Sequence, residues 1–479
     1  PDRDAGDADV LKTSQQVLRL LSESRMAQGL PASAKDRVIT LADAALKLAK
    51  SSDSSLKDER AGINAISSLV LDSANVVVST LNSADVERLV EAREQFDWVL
   101  VEEAAKAVGP ELVGALALSG RRLLIGDHHQ LPPFEAERLT KILSDHARVA
   151  EVIKMAEQFV GPLMRDGELN ELADIAANEG QLRDIADTAL RMLEPFRSVV
   201  VEDERRSRLN TGHRPVSSVL TEQRRMDPAI AEIVSRAFYN GALVTETNRA
   251  AEAASEPEGY VCRNLTAAPV TLVDFPHVSS RGLGSAYEQN RPRFHNPTEV
   301  RAVLEILGRL RPTVPARHEK SPTLAVLSFY NAQVEKLNEK IDGAVKHGSL
   351  AHLGGFVPAA SDGRWANTVD GFQGNEADIV ILSLVRNNAG SGASALGFLR
   401  DRRRWNVALS RAKSKLVIVG SMGFLREAVR GVNPDGLDHD LSFLTTVDEV
   451  LSELQTRRGP RPNGNPPAAV VLPKALGIN

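Results

Sequence analysis

The chain has 479 residues, of which 42% are hydrophobic and 25% are charged, a balance that indicates a soluble globular protein with two or three domains. No apolar run is long enough for a transmembrane helix, the polar start PDRDAGDADV is not a signal peptide, and the single cysteine, Cys262, excludes a disulfide framework and a cysteine-based zinc site. We therefore expect a cytoplasmic protein, in which a net charge of −5 neither supports nor excludes a nucleic-acid partner, because a local basic groove can still bind phosphates.

The first part of the chain changes from a helical to a strand-like pattern. Apolar residues at helical spacing predict a helical lead-in over residues 1–72. From Asn75, the aliphatic runs ANVVVST, DWVLVEE and RRLLIGD follow one another about 25 residues apart, which is typical of parallel strands buried on both faces. Residues 134–200 return to helical spacing, and we interpret them as a helical insertion.

The second half repeats the alternation of buried strands and helices. Its strand-like runs are VTLVDF (270–275), TLAVLSF (323–329), DIVILSLV (378–385) and KLVIVGS (415–421). These runs predict a second parallel sheet, so the predicted fold class is α/β. The predicted domains are 73–215, which contains the insertion, and 216–456, followed by a flexible Pro- and Gly-rich tail over 457–479.

Polar residues follow two predicted strands of the first sheet. Glu102 and Glu103 come directly after DWVLV, and GDHHQLPP leaves Asp127 and Gln130 at the tip of the next strand, the edge where α/β sheets bind ligands. One acid at such a tip can hold Mg²⁺ while its neighbour polarises a water that attacks a γ-phosphate. Two acids alone are equally compatible with a solvated helix N-terminus. Gln130 favours the first interpretation, because its amide can bond both a phosphate oxygen and the attacking water.

Three stretches of the second half place polar residues beside predicted helices or strands. EQRRMDP sets Arg225 ahead of a helix, where a planar guanidinium can reach a phosphate across an interface, although solvation is the commoner role of any one arginine. TVDGFQGNEADIVILSLVR places Gln373 and Glu376 in a glycine-punctuated loop before a strand. RRWNVALSRAK puts Arg404 and Arg411 two turns apart on a predicted helix, so we expect both on one helical face.

Taken together, EEAAK, GDHHQLPP, EQRRMDP, TVDGFQGNEADIVILSLVR and RRWNVALSRAK resemble motifs II to VI of superfamily 1 helicases, in the same order. They are most similar to the branch related to the nonsense-mediated-decay helicase and senataxin, superfamily 1B, and the resemblance covers roughly residues 65–425. It implies two RecA-like domains with ATP and Mg²⁺ in the cleft between them. It also implies translocation on single-stranded RNA or DNA, usually 5′ to 3′.

The resemblance implies a role for each residue at a matching position. Glu102 would bind Mg²⁺, Glu103 would be the catalytic base, and Gln130 would sense the γ-phosphate. Arg225 and Arg411 would be arginine fingers from the second domain. The remaining nucleotide contacts would come from Asp127, Gln373, Glu376, which would touch the ribose, and Arg404. The predicted nucleic-acid contacts are Ser79, Thr80, Tyr330, Gln333 and Thr368, of which Tyr330 is equally compatible with packing.

The chain also departs from the family pattern. It contains no G-x-x-x-x-G-K-[ST], so we expect the loop that cradles the phosphates on a preceding segment or another polypeptide. Glu102 stands where Asp is usual, Lys106 where Gln is common and Arg224 where Tyr is usual, which we interpret as a variant active site. A noncatalytic nucleic-acid-binding module and a RecA-like ATPase acting on a protein partner at the insertion are the alternatives. The insertion is more readily interpreted as a structural helical hairpin than as a partner site.

Overall fold

The protein forms two compact units, Pro1–Glu94 and Gln95–Asn479. This division differs from the domain boundaries predicted after residues 72 and 215. The predicted helical lead-in lies outside the described residues apart from Leu71. The computed structural model describes residues 71, 74–160 (backbone only for 156–160), 171, 174, 178–255, 259–279, 286–313, 321–430, 441–461 and 464–478.

Helices and strands alternate along most of the described chain. The α-helices are α1 (Ala84–Glu91), α2 (Gly109–Ala117), α3 (Ala136–Leu143), α4 (His146–Val160), α5 (Glu179–Leu193), α6 (Pro195–Leu209), α7 (Pro228–Phe238), α8 (Thr247–Ala254), α9 (Pro297–Arg309), α10 (Asn331–Lys346), α11 (Gly392–Leu396), α12 (Arg402–Leu409), α13 (Met422–Arg430) and α14 (Ser442–Thr456). Short 3₁₀ helices are formed by Ala104–Lys106, Ala351–Gly355, Gly397–Arg400 and Pro473–Leu476. The strands are β1 (Val99–Val101), β2 (Arg122–Leu124), β3 (Glu222–Gln223), β4 (Val244–Thr245), β5 (Tyr260–Cys262), β6 (Val270–Asp274), β7 (Leu310–Pro312), β8 (Thr323–Ser328), β9 (Val357–Pro358), β10 (Ala366–Thr368), β11 (Ala377–Ser383), β12 (Ala412–Gly420) and β13 (Ala468–Val471).

The main sheet is parallel, with the strand order β10-β8-β11-β12-β6-β13 and with β9 also paired to β8. The four strands predicted in the second half are confirmed as β6, β8, β11 and β12. The register sets Ser328 of β8 beside Ser383 of β11, so the carboxyl ends of the central strands lie at one edge. The α/β fold class with parallel sheets is therefore confirmed.

Both faces of this sheet are buried, as the continuous apolar runs predicted. Along β11, Val380 and Leu382 belong to one hydrophobic core, whereas Ile379 and Ile381 belong to the other. Helices α7, α12, α13 and α14 pack into the first core, and α9 and α10 pack into the second. This alternation explains why residues 379–382 of β11 are all aliphatic, unlike a strand with one solvated face.

Side-chain caps form the beginnings of three helices that pack on the main sheet. Asp227 accepts a hydrogen bond from the backbone of Ala229 at the start of α7, where Pro228 occupies the first helical position. Asn296 caps α9 in the same way, and Asp401 accepts from the second and third residues of α12. These caps satisfy backbone donors in the first turns of the three helices.

The first sheet is a parallel pair, β1 and β2. The prediction that its strands are buried on both faces is wrong, because Leu100 is 65% and Leu123 is 45% exposed. Within the described residues this sheet is only two strands wide, so it cannot enclose its side chains as the main sheet does. The predicted strand ANVVVST is also not formed over the described residues 75–80, where Val78 is 89% exposed.

The end of the chain is ordered against the main sheet. Strand β13 pairs with β6 in parallel, and Leu476 in the following 3₁₀ helix is buried. Arg457 forms an ion pair of 2.6 Å with Glu232 of α7. The prediction of a flexible tail is therefore wrong, because AAVV completes the edge of the sheet despite the surrounding prolines and glycines.

The segment predicted as a helical insertion contains helices α3, α4 and α5 in its described parts. Helices α3, α4 and α5 meet through a small cluster that contains Val149, Leu182 and Ala186. Most of residues 161–177 lie outside the described part of the chain. Among the described helices, none combines the length and the apolar character needed to cross a bilayer.

Candidate active site

A cleft of about 480 Å³ opens beside the carboxyl tip of β2 and the start of α7. Four predicted site residues line it, namely Gln130, Arg225, Glu376 and Arg411. Its volume is in the range of about 300–1,000 Å³ that small-molecule sites occupy. The cleft is rich in positive charge, since Arg224 joins two other arginines against one glutamate.

The loop after β2 brings Gln130 to this cleft. One carboxylate oxygen of Asp127 accepts from the backbone N of His129 at 2.9 Å, and the other accepts from Nε2 of Gln130 at 2.9 Å. The loop passes so close to the residues after β1 that a Cβ on Gly126 would lie 2.8 Å from the backbone N of Ala105. Glycine is therefore required at residue 126, and the tips of β1 and β2 stay together.

Glu102 and Glu103 lie exposed at the tip of β1, as the sequence predicted. Glu103 has a left-handed backbone (φ 55°), an uncommon conformation for a residue with a side chain, and its carboxylate lies 3.5 Å from Nζ of Lys106. The negative charge of Glu103 acts to raise the pKa of Arg411, against the larger effect of burial. Glu103 is not among the residues that line the cleft, so its role as catalytic base stays a prediction.

Arg411 lies between α12 and β12 and is buried. Its guanidinium donates to the carbonyl of Val407 at 3.0 Å, to Oγ of Ser410 at 2.9 Å, to the carbonyl of Asn375 at 3.3 Å and to Oε1 of Gln130 at 3.3 Å. Burial, reinforced by a nearby arginine, lowers the pKa of Arg411 to about 10. The group stays cationic at neutral pH, but its charge is destabilised until an anion approaches.

Arg225 shares the carboxylate of Glu376 with Lys413. Nε of Arg225 lies 2.5 Å from Oε2 of Glu376, and Nζ of Lys413 lies 2.6 Å from Oε1. Burial acts to raise the pKa of Glu376, but the hydrogen bond from Lys413 and the charge of Arg225 outweigh it and lower that pKa. Lys413 was not predicted as a site residue, although it belongs to the same basic run, SRAK, as Arg411.

Tyr239, at the end of α7, is the other residue that the sequence interpretation missed. Its hydroxyl donates to Oδ2 of Asp127 and accepts from Nδ2 of Asn406 at 2.8 Å. Nδ2 of Asn406 also donates to the carbonyl of His129 at 3.0 Å. Burial, together with the Asp127 charge, raises the pKa of Tyr239, so its hydroxyl stays protonated.

Arg404 and Arg411 do not share a helical face, contrary to the prediction. Helix α12 ends at Leu409, so Arg411 lies in the turn before β12. Arg404 donates instead to the carboxylate of Asp370 at 3.1–3.2 Å and lies over the ring of Phe398, outside the residues that line the cleft. Arg404 thus forms an ion pair with the neighbouring loop, and its contact with a nucleotide stays a prediction.

Thr368 is the last residue of β10, and Gln373 lies in the loop that connects β10 to β11. Oγ1 of Thr368 accepts from the backbone N of Gly371 at 3.0 Å, which stabilises the turn after β10. Nε2 of Gln373 is buried and has no hydrogen-bond partner within the described residues. A buried amide donor of this kind is available to a ligand.

Two of the predicted nucleic-acid contacts are interior residues. Tyr330 is buried against Phe294 and Phe398, and its hydroxyl accepts from the backbone N of Phe398 at 3.1 Å. Gln333 is fully buried, and its amide bonds the backbone of Asn296 at 2.8 Å and Oγ of Ser383 at 2.9 Å. The prediction for both is corrected to a structural role.

Ser79 and Thr80 lie exposed in the first unit. The carbonyl of Thr80 accepts from the backbone N of Ser83, the residue that caps α1. Their predicted contact with nucleic acid stays a prediction.

Two family models, both described as an AAA domain, match residues 12–136 and 204–423. The probable helicase MAGATAMA 3 of Arabidopsis thaliana is 28% identical over 76% of the chain and 35% of the relative. The DNA-binding protein SMUBP-2 of Rattus norvegicus is 26% identical over 82% of the chain and 32% of the relative. The helicase SEN1 of Saccharomyces cerevisiae is 24% identical over 73% of the chain and 12% of the relative.

The chain belongs to the superfamily 1B helicases, in the branch of senataxin and the nonsense-mediated-decay helicase. The family resemblance that five short motifs predicted is thus confirmed. The chain spans between 12% and 35% of the length of these three relatives.

Proposed function

We propose that this chain forms part of an ATP-driven helicase or translocase that moves on single-stranded RNA or DNA, in the 5′ to 3′ direction. The observation that carries the proposal is the convergence of Gln130, Arg225, Glu376 and Arg411 on one cleft, although Gln130 and Arg411 are 281 residues apart. Relatives named as helicases or as DNA-binding proteins support the same class of activity.

The charges of the cleft favour a phosphate. Burial lowers the pKa of Arg411, and the nearby charge of Arg225 lowers it further. A γ-phosphate between them would relieve this repulsion and accept hydrogen bonds from two planar forks. Arg225 would leave Glu376 to do so, and Lys413 would keep that carboxylate neutralised.

Gln130 in the cleft and Glu103 at the tip of β1 would supply the groups that hydrolysis requires. The Gln130 amide would orient the attacking water, and the exposed carboxylate of Glu103 would accept its proton. Loss of the γ-phosphate would restore the repulsion between Arg225 and Arg411 and favour an open cleft. Alternate closing and opening of this kind is the step that would drive movement along a strand.

The residues at the tip of β1 fit Mg²⁺ shared with a nucleotide. The carboxylate of Glu102 is a hard oxygen ligand at an exposed strand end, and Mg²⁺ usually takes one or two carboxylates together with substrate phosphates. Among the described residues, no cluster of three or more metal-binding side chains occurs, which agrees with a shared site. Bound Mg²⁺ would neutralise charge on the phosphates. No stretch of the chain has the G-x-x-x-x-G-K-[ST] pattern, so these residues provide the sensor and the fingers but not that cradle.

The test is to measure binding of a fluorescent ATP analogue and ATP hydrolysis, with and without single-stranded RNA and DNA, by the chain combined with the segment or polypeptide that supplies the phosphate-binding loop. Arg225→Ala removes one finger, and Arg426→Ala, which removes a surface arginine paired with Asp448, is the matched control. We expect strand-stimulated hydrolysis that Arg225→Ala abolishes and Arg426→Ala leaves unchanged.

Three other outcomes would count against this proposal. Strand binding without any nucleotide binding would favour a noncatalytic clamp. Hydrolysis that neither strand stimulates would favour an ATPase acting on a protein partner. Equal loss in both arginine variants would show that the effect is on folding and not on the cleft.

A further inference from the structure

We infer that Tyr239 is a positioning residue for the γ-phosphate sensor, because its hydroxyl holds Asp127 and Asp127 in turn holds the side-chain amide of Gln130. This inference rests on the proposed function of the cleft. It concerns a residue outside the five helicase motifs.

The hydroxyl of Tyr239 has a defined direction of hydrogen bonding. It accepts from Nδ2 of Asn406 at 2.8 Å, so its own proton points to Oδ2 of Asp127. That same carboxylate oxygen accepts from Nε2 of Gln130 at 2.9 Å. The ring of Tyr239 meets His129 edge-on, with centroids 5.3 Å apart, which fixes the position of the hydroxyl relative to the loop.

These bonds determine which end of the Gln130 amide faces the cleft. With Nε2 held by Asp127, Oε1 faces Arg411 and accepts from its guanidinium at 3.3 Å. A flipped amide would set NH₂ against a guanidinium that can only donate. Without the Tyr239 hydroxyl, Oδ2 of Asp127 loses one of its two side-chain donors, and the loop loses its attachment to the end of α7.

The same hydroxyl ties the sensor to the arginine finger through a second route. Asn406 lies on α12, the helix that leads to Arg411, and its Nδ2 bonds both Tyr239 and the carbonyl of His129. Tyr239 therefore connects the loop of Gln130 with the helix of Arg411. Both groups would have to contact one γ-phosphate, so their relative position decides whether the water and the phosphate are aligned.

The test compares Tyr239→Phe, which removes only the hydroxyl, with Tyr260→Phe. Tyr260 is also a buried tyrosine, but it lies in β5 and does not line the cleft. The first measurement is hydrogen exchange of the nucleotide-free chain over peptides that contain residues 127–131. We expect Tyr239→Phe to speed exchange there by about tenfold, the effect of losing one hydrogen bond to a charged group, and Tyr260→Phe to leave it unchanged.

The second measurement is competition binding of ADP and of ADP with beryllium fluoride, a γ-phosphate mimic. We expect Tyr239→Phe to weaken the preference for the mimic by about tenfold while the affinity for ADP stays unchanged. A purely structural role would lower both affinities together.

Unchanged exchange over 127–131 in Tyr239→Phe would overturn the inference whether or not the chain binds nucleotide. Faster exchange with an unchanged preference for the mimic would also overturn it, because the loop would then move without affecting the sensor. If the unaltered chain, combined with the loop that cradles the phosphates, binds neither ADP nor the mimic, the proposed function fails, and the exchange measurement still decides whether Tyr239 positions the loop.

Discussion

Arg411 donates a hydrogen bond of 3.3 Å to Oε1 of Gln130, across 281 residues of sequence. The contact joins the loop after β2 to the turn before β12, and thus the smaller parallel sheet to the main one. Gln130, which would sense a γ-phosphate, is therefore already hydrogen-bonded to Arg411, which would stabilise the charge of that phosphate. The cationic partner is also buried, so its charge is compensated mainly by carbonyl, hydroxyl and amide oxygens.

The shape of the Arg411 side chain, and not only its charge, should matter for hydrolysis. The planar guanidinium of Arg411 donates to four acceptors. Arg411→Lys keeps the positive charge, but the three donors of an ammonium group all lie on one nitrogen atom. We expect turnover of ATP to fall by about 10³-fold, the low end of the effect of an arginine finger. Steady-state kinetics of the strand-stimulated reaction would measure it, with Arg426→Lys as the control, and equal rates in the two variants would contradict the finger role.

Lys413 should control how readily Arg225 leaves Glu376. In Lys413→Gln the carboxylate keeps a single cationic partner, so release of Arg225 toward a phosphate would leave Glu376 without a counter-charge. We expect the affinity for ADP with beryllium fluoride to fall about fivefold, a modest loss because the groups are partly solvated, and Lys413→Arg to restore it. Lys336→Gln, which removes a surface lysine paired with Glu339, is the control. Tighter binding of the mimic by Lys413→Gln would contradict the proposal that Lys413 helps Arg225 to leave Glu376.

Much of this site could be predicted from short stretches of sequence. The apolar runs of β6, β8, β11 and β12 identify buried strands, because parallel strands covered on both faces need nearly continuous aliphatic residues. Gln130 is singled out because it follows the carboxyl end of a predicted strand, whereas Glu376 comes before β11 and its role is implied by the family resemblance. The family resemblance added the arginines.

The failures have a common physical cause, because each depends on a partner far away in sequence. Tyr239 bonds Asp127, which lies 112 residues earlier, and nothing in FYNGAL reveals that contact. Gln333 is satisfied by Asn296 and Ser383, which makes a polar residue compatible with complete burial. Strand β13 forms because β6 offers a free edge about 200 residues upstream, a tertiary effect that overrides local composition.

Asp203 should hold the connection between α6 and β3. Its buried carboxylate accepts from the backbone N of Ser217 at 2.9 Å, from Oγ of Ser217 at 2.6 Å and from Val216, and it lies 2.7 Å from Nε2 of His213. The hydrogen bonds from Ser217 and His213 hold the pKa of Asp203 well below its usual range. A carboxyl with a depressed pKa stabilises the fold above its unfolded pKa, and this contribution is lost as the pH falls through the folded value.

We therefore expect Asp203→Ala to speed proteolytic cleavage between residues 209 and 220, where Leu209 and Val219 are exposed. Asp187→Ala, on the exposed face of α5, should leave the rate unchanged. Limited proteolysis followed by mass spectrometry locates the cut. Identical rates in the two variants would show that the carboxylate does not restrain this segment.

The contribution of Glu299 to stability should depend on pH in the opposite direction to that of Asp203. The residue is fully buried at the first turn of α9, and its carboxylate accepts from Oγ of Ser383 at 2.6 Å and from the backbone N of Val385 at 2.9 Å. Burial raises the pKa of Glu299 from 4.5 to about 8, against the effect of these hydrogen bonds. A folded-state pKa above the unfolded value means that the folded chain retains a proton which the unfolded chain has already released. The contribution of Glu299 to stability is then complete below about pH 4.5 and is lost as the pH rises toward about 8.

We expect the urea midpoint of unfolding to decrease between pH 5 and pH 8 and Glu299→Gln to remove this part of the slope, because an amide of the same size does not titrate in that range. Glu305→Gln changes an exposed glutamate of the same helix and should keep the slope of the unaltered chain. If Glu299→Gln and Glu305→Gln give parallel curves, the carboxylate is ionised in the folded state, and the hydrogen bonds from Ser383 and Val385 outweigh the cost of its burial.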